Sequence, residues 1–297
     1  TLTSLMAYMM ADFYREGAVL DYPKGGTGAL IKALEKGITK NGGEIITKLH
    51  IKEILIDNEK VYGVKSKDGR VFKASKAVIS NASIWDTLNL IPKGKLPNEF
   101  VEEKSAIPQC KSFMHIHLGI KAEDIKEGEI YCHYTQVLDW DVPIDTPGNV
   151  IIVSIPSVLD PTLAPKGCHV VHAYTAGNEP YAIWENIKEG SEEYIRLKEE
   201  RAKVLFDAVE KVFPDLESRL EVRLIGTPKT HERFLRRNRG TYGPEIYAGQ
   251  GILPGPSTPV QGLYLAGDSI WPGIGVPAVA ACGSLVANNI AKVGQHL

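Results

Sequence analysis

Near its end the chain carries a short apolar run, Leu263-Tyr-Leu-Ala266, that closes on Gly267-Asp268-Ser269. A turn with glycines at 273 and 275 follows, then Pro277 and a small-residue segment from Ala278 to about Ile290. An apolar run that stops at a small polar cluster reads as a buried parallel strand ending at a site. Pro277 suits the first turn of a helix. Strand, carboxylate, glycine turn and helix N-terminus are together the parts that hold a polar, partly anionic cofactor against backbone N–H groups. Few other arrangements use all four, so this stretch constrains the fold more than any other.

Gly273-Ile-Gly275-Val-Pro-Ala278 also matches the spacing of a dinucleotide fingerprint. In a Rossmann unit that turn follows its strand directly, and an acidic residue comes about 20 residues later. Here six residues separate Ala266 from Gly273, and no acidic residue follows before Leu297. The context therefore disfavours a nucleotide fingerprint. A tight turn before a close-packed helix is the plain alternative, since glycine and alanine also serve packing.

With 297 residues and 43% hydrophobic content, the chain can build one large domain or two moderate ones. A net charge of −2 gives no reason to expect nucleic acid. The cysteines at 110, 132, 168 and 282 lie far apart with no C-x-x-C, against a disulfide framework or a cysteine zinc site. No apolar run approaches the ~18 residues of a spanning helix.

Residues 1–17 have apolar positions at helical spacing. Tyr22-Pro-Lys-Gly-Gly-Thr-Gly28 is a glycine-rich turn leading into a helix from Ala29 to about Asn41, with Leu30, Ile31, Leu34 and Ile38 on one face. Strands are expected at 44–47, 51–56, 61–66, 71–74 and 76–80, with a hairpin at Lys67-Asp68-Gly69. The last of these ends at Asn81-Ala82-Ser83, again placing backbone groups at a sheet edge where ligands of open α/β folds bind. Residues 84–109 read as helical, then irregular.

Ser112–Leu118 alternates, so His115 and His117 share one face while Met114, Ile116 and Leu118 share the other. Two histidines at i, i+2 can bind a metal, but no third ligand stands at convincing spacing, and a solvated or hydrogen-bonded face is the expectation. Residues 150–158 and 169–174 read as strands of a separate sheet, and 192–212 as the clearest amphipathic helix. A strand at 221–226 precedes an arginine-dense segment with Arg233, Arg236, Arg237 and Arg239. Surface ion pairs account for it best; a local anion or membrane headgroup is the next reading, ahead of nucleic acid.

Four segments then converge on one family: 22–38 (YPKGGTGALIKALEKGI), 76–92 (KAVISNASIWDTLNLIP), 226–244 (GTPKTHERFLRRNRGTYGP) and 262–283 (GLYLAGDSIWPGIGVPAVAACG). In order and spacing they resemble the flavin-dependent carotenoid isomerase and phytoene-desaturase-like group. The likeness is strongest to the plant and algal isomerases, and it spans nearly the whole chain. The resemblance implies an α/β fold binding FAD through two dinucleotide-binding domains, with an α+β substrate region inserted. It divides the chain into 1–20 (substrate-domain helix), 21–83 (FAD-binding), 84–225 (substrate-binding) and 226–297 (C-terminal FAD-binding). By the same analogy Gly267 and Asp268 belong to the C-terminal flavin motif, and Asp268 meets the ribityl or diphosphate part. Gly275 and Val276 lie by the isoalloxazine, and the helix from Pro277 aims its N-terminus at the ring carbonyl. Asn81 and Ala82 approach the diphosphate side, and Ile51 offers backbone near the adenine.

The family's opening strand, GxGxxG turn and helix have no counterpart here, so the chain is expected to be a C-terminal portion of a longer polypeptide. The implied activity is cis-to-trans isomerisation of a poly-cis carotenoid by reduced FAD at a peripheral membrane surface, in a plastid or at a bacterial cytoplasmic membrane. A desaturase or saturase of the same fold, and a non-catalytic lipid-binding protein on a degraded flavin fold, stay open. No acid or base is assigned; His231 and Glu232 are only nearby candidates.

Overall fold

The computed structural model describes residues 11, 14–17, 22–247, 249–291 and 294. The helix expected within 1–17 therefore falls mostly outside the described residues. In chain order the regular elements begin with α1 (Thr27–Lys40), β1 (Ile51–Asp57), β2 (Lys60–Ser66), β3 (Val71–Lys73) and β4 (Val78–Ser80). Then come α2 (Ile84–Leu90), α3 (Asn98–Ser105), β5 (His115–Lys121), β6 (His133–Val137), β7 (Val150–Ser154) and β8 (Cys168–Thr175). The chain closes with α4 (Glu192–Glu210), α5 (Leu216–Arg219), β9 (Leu220–Gly226), α6 (Pro228–Leu235), β10 (Leu263–Leu265) and α7 (Val276–Ile290).

These elements form two compact units. One takes Thr1–Ala11, Ile46–Cys110 and Arg236–Leu297, and the other Asp12–Ile45 and Lys111–Leu235. Beyond residue 20 the boundaries differ from the sequence ranges in three places. Residues 84–110 sit with the first unit because Ile84 and Trp85 bury against Leu265, Ile270, Cys282 and Val286 of its C-terminal part. Residues 21–45 go with the second, where the Gly25 N–H donates to Asp160 Oδ2 at 2.6 Å. Residues 226–235 also go with the second, as α6 continues directly from β9.

The first unit holds an antiparallel meander, β1-β2-β3, and a parallel pair, β10-β4. Ile54, Ile56 and Val61 of the meander pack with Leu96, Val260 and Leu263. No strand forms at 44–47. Ile45 and Ile46 are exposed there, and β-propensity without a ladder partner does not make a strand.

The second unit is built on a five-stranded antiparallel sheet in the order β6-β7-β8-β5-β9. The alternation read in β5 is realised: Met114, Ile116 and Leu118 are buried on one face. They meet Leu205, Ala208 and Val209 of α4, whose Ser191 accepts the Tyr194 N–H as N-cap. Ile116 is fully buried. Ile116→Ala should therefore destabilise this unit by roughly 2–5 kcal/mol, since the packed layer cannot close over the void. Ser191→Ala should cost about 1 kcal/mol. Chemical denaturation of the two variants would rank them, and an equal or reversed order would refute this account of the core.

Candidate functional site: the carboxyl ends of a parallel strand pair

β4 and β10 pair in parallel, with Val78 opposite Leu263, Ile79 opposite Tyr264 and Ser80 opposite Leu265. Both strands therefore end side by side, and the Ala266 N–H still donates to Ser80 O at 2.9 Å. Asn81 and Gly267 follow these ends. The Asn81 side chain donates from Nδ2 to Ala266 O at 3.0 Å. Gly267 has φ +119°, and a Cβ there would come 2.8 Å from Asn81 Nδ2. Only glycine combines that backbone with that approach.

Asp268 is half-buried and meets Arg237, Nη1 to Oδ2 at 2.5 Å. Arg237 also donates from Nε to Thr241 O. Its Nη2 and the neighbouring Ser269 Oγ are buried without a hydrogen-bond partner. Buried polar atoms left open in this way point to a further polar group at the Gly-Asp-Ser turn. The arginine-dense segment is thus not only a set of surface ion pairs. Arg233 does make one, with Glu189 at 3.5 Å, but Arg237 turns inward to Asp268. The next residue, Asn238, is held by Asp86: its N–H and Nδ2 meet the carboxylate at 3.0 and 3.1 Å. Asp86 sits in the first turn of α2, just after its N-cap Ser83, so the segment is anchored next to the Asn81 strand end.

Sequence reasoning named Arg237 only as one of an arginine-dense segment, and missed Asp86 and Asn238. It also missed helix α6. For α6 a signal existed in Thr227-Pro228: Thr227 Oγ1 accepts the Thr230 N–H at 3.4 Å, and Pro228 opens the helix. A cap threonine followed by proline is a helix start.

Beyond Asp268 the chain turns through Gly273 and Gly275, at φ +117° and +105°, into α7. Helix α7 begins at Val276, with Pro277 in its first turn, and Gly275 at its N-cap supplies no side-chain acceptor. Nothing lies within 4 Å of a Cβ built on Gly275, and Val276 is 64% exposed. The first amides of a three-turn-plus helix thus face open space with the positive end of its dipole. A cavity of about 380 Å³, lined by Pro244, Tyr247, Ile252, Leu253, Gly273 and Ile274, adjoins the turn. The 244–253 part of that wall was not singled out from sequence.

The fold brings Asn81, Ala82, Gly267 and Asp268 together at the two strand ends. Gly275, Val276 and Pro277 follow on the turn and helix. Ile51 stands elsewhere, at the start of β1, opposite Ser66 and at the far end of the hairpin from the turn that bridges to Gln261.

On the sheet of the second unit, His115 and His117 share a face, as their spacing requires. The sequence offered no third histidine at convincing spacing, and the tertiary register brings one near: His172 of β8 lies directly opposite His117. Burial, and then the neighbouring imidazoles, hold His115 down at about 3 and His172 at about 4, so both rings are neutral near pH 7.

The chain as a whole has the fold of the flavin-dependent oxidoreductases. An oxidoreductase from Methanosarcina mazei superposes with a TM-score of 0.58, over 94% of this chain and 58% of that one, at 23% identity. Putrescine oxidase bound to putrescine also gives 0.58, over 90% of this chain and 53% of that one, at 13% identity. The flavin containing amine oxidoreductase family model matches residues 3–291, and the chain belongs to that family. Among its relatives, the prolycopene isomerase of Arabidopsis thaliana is 39% identical over 277 residues, 92% of this chain and 46% of that protein. The neurosporene-forming phytoene desaturase of Rhodobacter capsulatus is 28% identical over 285 residues, 91% of this chain and 53% of that protein. The chain spans about half the length of the curated relatives it matches.

Proposed function

We propose that this chain forms the ring-side half of an FAD site, and the substrate-binding region, of a flavin-dependent carotenoid cis–trans isomerase. The observation that carries the reading is the open N-terminus of α7 behind Gly275, set after a strand that ends in Gly267-Asp268. The identity to plant prolycopene isomerases supports the choice of substrate class.

The residues present suit the cofactor. Asn81, Ala82 and Gly267 offer backbone and a small cradle on the diphosphate side, and Ile51 a backbone contact toward the adenine. Asp268, with its charge balanced by Arg237, orients the sugar-alcohol chain. Gly275 and Val276 leave room for a flat ring, and the α7 amides oppose negative charge on it. When bound and reduced, FAD supplies a reversible electron-rich partner that loosens a polyene double bond, with no net redox change. The protein's part is to hold the polyene in one pose and keep water away. This reading assigns no acid or base among the chain's residues. Among the described residues no helix is long and apolar enough to cross a membrane. We place the enzyme at a membrane surface, of a plastid in a plant or alga, because an apolar polyene would enter from the lipid.

The test is to incubate the full-length polypeptide, with reduced FAD, and a poly-cis carotenoid such as prolycopene. A trans product of unchanged mass supports the reading. A product lighter by two hydrogens would make the protein a desaturase instead. Flavin absorption without any change in the carotenoid would defeat both, and absence of flavin bands would favour lipid binding on a non-catalytic fold.

A further inference from the structure

β5 is the fourth strand of the five-stranded sheet, with β8 on one side and β9 on the other. On its solvent-side face three imidazoles meet. His115 Nδ1 lies 3.0 Å from His117 Nε2. The ring of His172, on the adjoining strand, lies 4.3 Å from the His117 ring and within 1° of parallel. One ligand atom from each of the three falls within 4.8 Å of the others. Two nitrogens bound to one tetrahedral ion at 2.0–2.1 Å stand about 3.4 Å apart. The cluster is therefore within two ångströms of closing, and closure requires His117, the exposed member, to turn its ring off His172.

Four further observations separate this cluster from an ordinary polar face. His115 Nε2 and His172 Nε2 are buried and have no hydrogen-bond partner, so the sheet buries imidazole nitrogens that it does not satisfy. The His115 ring is seated rather than loose. β9 places Gly226 against it, where a Cβ would come within 1.8 Å of Nε2. The side chains stand on hydrogen-bonded strands, β5 and β8, whose register fixes their spacing more firmly than a loop could. A cleft of about 260 Å³, lined by His117, His172, Gly119, Val170 and Val222, opens the cluster to a small ligand.

The donor set narrows the guest. It is all imidazole nitrogen. Imidazoles suit zinc, cobalt, nickel, copper and iron, and do not suit magnesium or calcium, which require oxygen. Three protein ligands leave a tetrahedral ion one open position. We propose that His115, His117 and His172 form a three-histidine site for a divalent transition ion of the zinc type, with its fourth position facing the cleft.

The experiment uses the tag-free full chain, dialysed against chelator and titrated with cobalt(II). The expected result is visible ligand-field absorption saturating at about one equivalent, which zinc abolishes by displacement. His172→Gln and His117→Gln should each weaken binding at least roughly 10- to 100-fold, as much as even outer-shell changes do. His50→Gln, at an exposed histidine of the first unit, should leave affinity unchanged. If His172→Gln does not fold, by circular dichroism, the exposed His117→Gln decides alone. Absence of ligand-field bands, or affinity that survives His117→Gln, would overturn the proposal and leave the histidines as paving of the sheet.

Discussion

Glu179→Ala is expected to lower the unfolding free energy of the second unit by about 3 kcal/mol, the largest effect of any single charge removal in the described residues. Glu179 is 1% exposed. Its carboxylate takes Arg201 Nε at 3.0 Å, Arg201 Nη2 at 2.6 Å and the indole N–H of Trp184 at 3.0 Å. Trp184 is itself fully buried in the core beside Tyr194. Removing the carboxylate strands an indole N–H and a guanidinium at once. Breaking a buried pair costs about 3–5 kcal/mol, and the lower end applies because Arg201 keeps 29% exposure and recovers some water. A guanidinium does not lose its proton in a protein, so the Arg201 charge is not lost in compensation. Glu179→Gln keeps an acceptor for Trp184 and should cost clearly less. Urea denaturation followed by tryptophan fluorescence measures both; a loss under about 1 kcal/mol for the alanine variant would contradict the assigned role.

Gly267→Val is the second large effect, and it should strike stability and cofactor together. A β-branched residue at φ +119° is strained by about 1–3 kcal/mol. Its Cβ would also press on Asn81 Nδ2 and break the bond to Ala266 O, a further ~0.5–1.5 kcal/mol. The two strand ends would be pushed apart where we place the diphosphate side. Gly275→Ala offers the contrast. It meets nothing within 4 Å, so it carries the backbone strain alone and intrudes only on the space proposed for the ring. Thermal unfolding and bound-flavin absorbance of the full-length protein should therefore separate: Gly267→Val loses the more stability, with flavin content falling alongside, while Gly275→Ala loses only the stability its backbone strain costs and falls further in flavin content. Equal flavin content in Gly275→Ala and the parent would remove the ring from that turn.

The strand-to-helix stretch at 263–290 is legible in the sequence because its signals are local: an apolar run, a polar stop, turn glycines and a proline in the first helical turn. The alternation in β5 and the amphipathic period of α4 are likewise local, and both faces pack as the pattern requires. The β6 strand is not legible, since His133–Val137 pairs only because β7 is there to receive it. The helix α6 is masked by Arg233 and the arginines that follow it, which read as a charged segment rather than as a capped helix.

The sequence by itself determined the family, the order of most elements and the half of the site that runs continuously from Leu265 through Asp268 to Val276. Each of those depends on neighbours within a few residues, where φ/ψ preference and apolar period act. Only the tertiary structure decided what stands across from them. Parallel pairing brought Asn81 beside Gly267 from 186 positions away. A folded-back segment set Arg237 on Asp268, and an antiparallel register set His172 on His117. Such pairings come from the packing of whole strands against one another, and no spacing along the chain records them.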